Sequence, residues 1–383
     1  MSRMNYLDKL LDGVAVEWVN LGAITKIKTG QAVSKEIISK NPGEFPVINS
    51  GREPLGFINQ WNTDQNPIGI TSRGAGVGSV TWQEGKYFRG NLNYSVTIND
   101  LNSLEIRYLY HLLLSKQLEI QSLCTFDGIP ALNASNLKDL KIPIPCPENS
   151  EKSLEIQAEI VRILDAMTAH AAELIAELTL RKKQYNYYRD KLLSFEDGEV
   201  EWKTLGEICD IYTGGEPPKS SLISKTQTKI YKYPIYGNGA DVYGYTDTYR
   251  IDKDVVTISS IGANTGKIYY RKAFFSPIIR LKVLVPKSNN ILPRYIFHAL
   301  SSIKIESKSS SVPNMNASDV KRIAIPMPSV EKQAYIVEIL DKFDALTTSI
   351  TEGLPREIEL RQKQYEYYRD ALLSFPKPNN INE

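Results

Sequence analysis

Residues Arg181 to Phe195 read RKKQYNYYRDKLLSF, and residues Arg361 to Phe375 read RQKQYEYYRDALLSF. Twelve of the 15 positions are identical at a constant separation of 180 residues, the exceptions being Lys182/Gln362, Asn186/Glu366 and Lys191/Ala371. A repeat of that fidelity marks a duplicated chain and restricts the fold to two copies of one plan. A weaker echo, Tyr6-Leu7-Asp8-Lys9-Leu10-Leu11, opens the chain and resembles Tyr188 to Leu193. Val-Glu-Trp follows the first two copies, at 16–18 and 200–202, whereas a polar tail follows the third. The two chain ends should therefore meet as halves of one junction.

Each full copy closes a long helical pattern. From Ser153 to Phe195 there is no Gly or Pro, and Ile156, Ile160, Ile163, Met167, His170, Leu174, Leu178, Arg181, Tyr185, Tyr188 and Leu192 recur at spacings of three and four. That is a heptad-like seam. At ~1.5 Å per residue it predicts a helix roughly 60 Å long, which needs a partner helix to cover its stripe. A second seam starts near Ser329 and runs through Ile336, Ile339, Phe343, Leu346, Ile350, Leu354, Ile358, Arg361, Tyr365, Tyr368 and Leu372. Its offset from the first changes from 176 at Gln157/Gln333 to 180 at Arg181/Arg361, so copy two carries four extra residues near Thr351 to Leu354. Four residues read as a stutter that adds one turn with the seam nearly in phase, while Gly353 and Pro355 weaken or kink the helix. The two helices most simply bury each other as an antiparallel pair. The pairing and subunit-docking residues are then Ile160, Ile163, Tyr185, Tyr188 and Leu192 with Ile336, Ile339, Tyr365, Tyr368 and Leu372, and Arg181, Lys183, Arg189 and their copies lie where a partner could grip.

Between the helices the repeat keeps a frame and varies its contents. Leu21-Gly22 and Thr29-Gly30 match Leu205-Gly206 and Thr213-Gly214 at an offset of 184. Asn49-Ser50-Gly51 and Gly74 to Gly78 match Gly237-Asn238-Gly239 and Gly262 to Gly266 at 188. Arg107-Tyr108-Leu109-Tyr110-His111 answers Arg294-Tyr295-Ile296-Phe297-His298, and Asn133-Ala134-Ser135 answers Asn316-Ala317-Ser318. Short strands are predicted at Ile24–Lys28, Phe45–Ile48, Ile68–Thr71, Val80–Trp82 and Tyr94–Ile98, a helix at Arg107–Lys116, and a proline-limited closing strand at Ile142–Pro145. The predicted fold is α+β: two globular mixed α/β domains separated by a pair of long antiparallel coiled-coil-like helices, with a pseudo-two-fold from the internal duplication. The boundaries are 1–15 for an N-terminal segment completing the repeat, 16–150 and 197–328 for the domains, 151–196 and 329–376 for the helices, and 377–383 for a tail.

No apolar run approaches the ~20 residues of a membrane span. The N-terminus lacks the uninterrupted apolar core of a signal peptide, so a cytoplasmic protein is expected. Cys124, Cys146 and Cys209 are scattered and odd in number, which supports neither a disulfide framework nor a zinc site. His111 and His298 sit inside the repeated aromatic motif and read as structural; His170 lies on the long seam and reads as packing or as a polar specificity element. No phosphate loop, dinucleotide fingerprint, Gly-x-Ser-x-Gly, HExxH or Asn-Pro-Pro-aromatic motif is present. The pattern is that of a binding protein. Charge suits a polyanion such as DNA, and taken alone suits solubility equally: residues 16–147 hold 12 Lys and Arg against 11 Asp and Glu, but residues 200–328 hold 18 against 10. Between the repeated anchors lie Arg52, Ser72, Arg73, Lys86, Arg89, Asn91 and Asn93 in the first domain. In the second lie Lys219, Lys229, Lys232, Asn238, Asn264, Lys267, Arg271, Lys272 and Arg280. Arg and Lys suit guanine edges and phosphates and Asn suits adenine, so these are the candidate DNA contacts.

Taken together, Leu21 to Gly30 and Leu205 to Gly214, the Ile-Pro-x-Pro pieces at 142–145 and 325–328, the helix openings Gln157-Ala158-Glu159-Ile160-Val161 and Gln333-Ala334-Tyr335-Ile336-Val337, and the Tyr-x-Tyr-Tyr-Arg-Asp-x-Leu-Leu-Ser-Phe closings resemble the DNA-specificity (S) subunit of type I restriction–modification systems. The duplicated order of these pieces carries the likeness over essentially the whole chain. The resemblance implies two target-recognition domains, each reading half of a bipartite sequence in double-stranded DNA, with the helices setting their distance. It implies no catalysis and no cofactor in this chain, but two methyltransferase (M) subunits that methylate adenine with S-adenosylmethionine, and leaves room for a restriction (R) subunit. The near-neutral first domain departs from the pattern. Two other readings are a protein-interaction scaffold with coiled-coil helices and, disfavoured by the missing motif, a stand-alone DNA-modifying enzyme.

Overall fold

A computed structural model describes residues 6–51, 53–196, 198–219, 223–303, 314–349 and 351–376. They form two compact units, one from residues 1–173 with 358–383 and the other from 174–357. Each is built on the same plan.

In the first unit, strands Thr25–Thr29, Asn93–Ile98, Ile68–Thr71 and Val80–Trp82 lie in that order in a four-stranded antiparallel sheet. A three-stranded sheet sets Pro42–Ile48 between Phe57–Ile58 and Phe88–Arg89. Strand Val16–Asn20 pairs with Lys141–Pro145, which closes the domain where it began. The prolines of that closing strand sit on a two-stranded ribbon, where a missing N–H costs least.

The second unit repeats each piece. Cys209–Thr213, Lys282–Pro286, Val255–Ile258 and Ile268–Arg271 form the four-stranded sheet. Tyr233–Tyr236 lies between Val242–Thr246 and Ser276–Pro277, and Glu201–Thr204 pairs with Ala324–Met327. Even the isolated bridges correspond: Gln31 with Gly90 and Thr63 with Tyr87 answer Gly215 with Ile278 and Ile251 with Phe275.

Against each four-stranded sheet packs the helix carrying the aromatic motif, Ile106–Ser115 or Pro293–Ser301. Its tyrosine is fully buried and ties the closing strand, since the Tyr108 hydroxyl donates to the Pro143 carbonyl (3.0 Å) and that of Tyr295 to Pro326 (2.7 Å). A buried glutamine at the start of each long helix holds the other end of this motif. Gln157 accepts from the Glu105 N–H (2.9 Å) and donates to Ser103, while Gln333 accepts from the Leu292 N–H (3.0 Å) and donates to Asn290. The amides orphaned at a helix start are thereby satisfied.

The first long helix, Ser150–Leu192, is unbroken over 43 residues. The second is not. It runs from Val330 to Thr348, stops, and restarts at Leu354 to end at Leu372. The extra residues therefore do not extend a continuous helix by a turn. They fall in the interruption, where Gly353 has φ +87° and a Cβ would stand 2.6 Å from the Ala345 carbonyl oxygen. The seam's periodicity could not show this, because a break of this length leaves the phase of both pieces nearly intact.

In the first unit Leu7 and Leu11 of the N-terminal helix Tyr6–Leu11 share one core with Ile156, Ile160, Leu372, Leu373 and Phe375. The beginning of the chain and the end of its last helix thus meet, as the echo in the sequence predicts. The Trp18 indole adds a hydrogen bond to the Pro376 carbonyl (2.9 Å).

Candidate nucleic-acid interface and helix clamp

In each unit, loops joining the two sheets converge. In the first, Thr29, Ser72, Arg73, Asn91 and Ala131 line one shallow depression of about 190 Å³. Ser72 donates its amide to Leu92, Leu92 donates to the Asn49 side chain (2.9 Å), and Arg73 bridges to Ala131. In the second, the Ser260 amide donates to the Asn238 side chain (2.7 Å), the Ser260 hydroxyl to the Arg280 carbonyl (2.6 Å), and Ile261 bridges to Asn314. The glycine-rich runs serve as turns within these clusters. Gly74 and Gly78, like Gly262 and Gly266, all have positive φ, a conformation glycine adopts without steric cost.

The candidate contacts divide by burial. Arg73 and Asn91 are exposed in the first cluster, and Arg280 is exposed beside the second at φ +58°. Lys219, Lys229, Lys232, Lys267 and Lys272 are exposed, although Lys272 is paired with Asp254 (2.9 Å) and Lys232 lies over the Tyr233 ring. Lys86 is exposed over the ring of Trp61. Asn264 is half-buried, and Asn238 is held by the loop bonds it organises. Arg52 lies outside the described residues.

Four residues are not surface readers. Ser72 is buried in its backbone bridge, and Asn93 is fully buried. Arg89 is 3% exposed and donates to Asn93, to the Tyr87 hydroxyl and to the carbonyls of Tyr94, Asn66 and Ile68, and burial pulls its pKa down to about 10. Arg271 is buried against the rings of Tyr236 and Tyr269 and donates to the Gly239 and Ala240 carbonyls (2.7 and 2.9 Å). Here arginine supplies several N–H donors to the backbone carbonyls of the strands and loops around it. A position between repeated anchors does not distinguish an inward arginine from an outward one.

The second constellation joins each domain to the ends of both long helices. In the first unit His111 Nε2 lies 2.8 Å from Asp165 Oδ1, its Nδ1 lies 3.2 Å from the Tyr365 hydroxyl, and Arg107 makes a two-pronged bond to Asp165 (2.6 and 3.1 Å). In the second, His298 Nε2 lies 2.7 Å from Asp341 Oδ1 and its Nδ1 3.3 Å from the Tyr185 hydroxyl, while Arg294 reaches both Asp341 and Asp344. The aspartate comes from the start of one long helix and the tyrosine from the end of the other. Both imidazoles are fully buried, which pushes their pKa below the ordinary value despite the neighbouring carboxylate. Burial alone would raise Asp165 and Asp341, but bonds from the arginine and histidine outweigh it and hold both carboxyls low. Tyr365 is pushed up to about 12 by burial. Asp165 and Asp341 were not among the sequence candidates, although they are identical at the 176-residue offset.

Of the predicted pairing residues, Ile160, Ile336, Tyr365 and Leu372 are buried, and Ile163, Ile339, Tyr185 and Leu192 are half-buried. Tyr188 stacks on Phe343 (5.5 Å between centroids) yet, like Tyr368, stays about two-fifths exposed (37% and 41%). Among the described residues no group of three or more His, Cys, Asp or Glu side chains could hold a metal, and no helix is long and apolar enough to cross a membrane.

Two like domains, alike in strand order and clamp but unlike in the loops they present, make this a duplicated recognition protein. The chain belongs to the family of type I restriction–modification DNA specificity subunits: that family's DNA specificity domain matches residues 14–180 and again 198–360. It is 40% identical, over the full length of both chains, to the type I restriction enzyme EcoR124I/EcoR124II specificity subunit of Escherichia coli. It is 33% identical to the EcoprrI specificity subunit of the same organism, over 92% of this chain and 93% of the other. The crystal structure of an S subunit from M. genitalium has the same fold, with a TM-score of 0.66 at 23% identity over 96% of this chain and 98% of that one. The chain is accordingly a non-catalytic specificity component of a restriction–modification complex.

Proposed function

We propose that this chain is the DNA-reading adaptor of its complex, with each unit reading one half of a bipartite site. One observation carries the reading: the domains share topology and clamp, yet present different exposed side chains, Arg73 and Asn91 in one and Lys267 and Arg280 in the other. Identical frames with different loops are what two different half-sites require. The long helices set the gap between half-sites, and the exposed tyrosines near the helix ends (Tyr187 and Tyr188, Tyr367 and Tyr368) dock two methyltransferase subunits. Those subunits carry S-adenosylmethionine and perform adenine methylation in the cytoplasm, and a restriction subunit joins on the same scaffold.

Mapping methylated adenines across a genome with and without this chain tests the proposal. The expected result is one bipartite motif that vanishes with the chain, and whose gap changes when Thr351 to Leu354 are deleted. An unchanged gap would remove the ruler role. Absence of any sequence preference by the purified complex, at any salt concentration, would favour a protein-interaction scaffold instead.

A further inference from the structure

A groove repeats at the same place in both units, away from the clamp. In the first unit it holds about 320 Å³ and is lined by Lys26, Lys28, Thr29, Asn62, Asp64 and Arg89, among others. In the second it holds about 380 Å³ and is lined by Tyr212, Thr213, Arg250, Asp252, Lys253 and Pro277. The strand registers place the two grooves at the same point of the frame: Lys28 pairs with Ser95 as Tyr212 pairs with Val283, and Thr63 with Tyr87 as Ile251 with Phe275. Thr29/Thr213 and Asp64/Asp252 are retained, whereas Asn62 faces Arg250 in the correspondence and Arg89 faces Pro277. The arginine leaves the floor of one groove and appears on the wall of the other. Lys28 gives way to Tyr212 while Lys253 is gained at the place of Gln65, so the cations of each lining (Lys26, Lys28 and Arg89; Arg250 and Lys253) outnumber its one aspartate although their positions change.

Arg89 has no carboxylate partner among the described residues, and its Nε is buried without a hydrogen-bond acceptor. A buried guanidinium neutralised only by carbonyl dipoles leaves net positive potential at its groove. Lys26 and Lys28 stand exposed at the same groove, and Arg250 and Lys253 at the other, all without ion-pair partners among the described residues.

We propose that the groove in each unit binds a phosphate of the DNA backbone, separately from the loops that read bases. This rests on the DNA-reading function proposed above. Phosphate contacts add affinity and fix register without carrying sequence information, so a site of this kind can retain charge while its residues change.

The test uses the full chain purified with its methyltransferase partners, and duplexes with and without the methylated site, over a salt series. Lys28→Gln and Arg250→Gln remove exposed cations and leave the buried frame intact. Each should weaken binding to both duplexes by the same factor, roughly fivefold, and reduce the slope of log affinity against log salt by about 0.9, with the methylated sequence unchanged. An unchanged slope, or a loss confined to the specific duplex, would overturn the proposal. So would inorganic phosphate raising the melting temperature of the unsubstituted complex while the DNA slope ignores both substitutions, since the groove would then serve free phosphate. If the unsubstituted complex does not prefer its own site, the adaptor reading fails; if it does and the slopes stay fixed, only the groove proposal fails.

Discussion

In the first unit a single carboxylate, Asp165, takes both Arg107 and His111, whereas in the second Arg294 spans Asp341 and Asp344 while His298 uses Asp341. At the place of Asp344 the first unit has Thr168, whose hydroxyl donates to the Asp165 carbonyl. The same inequality extends to the helices that bear these groups, one unbroken and the other ending at Thr348 and restarting at Leu354. Duplication has preserved the connection between domain and helix, but the two copies differ in redundancy. The first clamp hangs on one side chain; the second has a spare.

The largest expected effect follows from removing that side chain. Asp165→Ala leaves a buried imidazole and a mostly buried guanidinium without their acceptor, at a cost of about 3 kcal/mol. Asp341→Ala leaves Arg294 on Asp344 and should cost about half as much, by the same reasoning applied to one orphaned group. Hydrogen exchange in helices Ile106–Ser115 and Pro293–Ser301 reads the two separately. Equal losses would show that Asp344 adds nothing and that the clamps are equivalent after all. Acid should act on both clamps in one direction. Because the folded imidazoles have depressed pKa values, the unfolded chain binds their protons first, so their contribution is complete above about pH 6.5 and declines as pH falls below it. The arginine facing each ring, and Arg369 near His111, oppose protonation further. His111→Gln should flatten the decline measured between pH 7 and pH 5 in the first unit only; an unaltered slope would place the titration elsewhere.

The helix break gives the next effect. Gly353→Ala puts a methyl group against backbone carbonyls of Ala345 and Leu346 at positive φ, where strain costs about 1–3 kcal/mol. The unbroken helix asks for the opposite residue: Ala176→Gly, at an exposed interior position, should cost about 1 kcal/mol by loss of helix propensity. Urea unfolding compares the pair. A Gly353→Ala protein as stable as the parent would mean that the interruption closes into helix when allowed.

Much of this was legible from residues alone, because repeats expose a frame. The strand at Ile68–Thr71, the closing Ile142–Pro145 piece and the long seam through Tyr185 all follow from periodicity and proline placement. The structural reading of His111 and His298 followed from their repetition. What periodicity could not reveal is the direction of a side chain within a variable loop. Arg89 and Arg271 lie between repeated anchors as Arg73 and Arg280 do, yet they turn inward onto backbone carbonyls and tyrosine rings. Asp165 and Asp341 lay on helix faces where a lone carboxylate is ordinary. Only the fold brings each within 3 Å of a histidine more than 40 residues away. The helix break was half legible: Gly353 and Pro355 announced a weakness, but the intact seam on either side masked a complete stop.

The smallest expected difference concerns the repeated Val-Glu-Trp. Trp18 is half-buried, donates its indole N–H to the Pro376 carbonyl and lies under the Lys116 ammonium (5.2 Å to the ring centroid), so it links the first strand to the end of the last helix. Its counterpart Trp202 is 61% exposed and has no such bond among the described residues. Trp18→Phe retains most of the apolar contact but loses one neutral hydrogen bond and part of a cation–π contact, together about 1 kcal/mol. Trp202→Phe should stay within about 0.5 kcal/mol of the parent, as exposed substitutions do. Urea midpoints at constant slope measure both. If Trp202→Phe proved as costly as Trp18→Phe, the junction in the second unit would need a contact for Trp202 comparable to the one that closes the first, and the asymmetry drawn between the two copies would not hold at their entry strands.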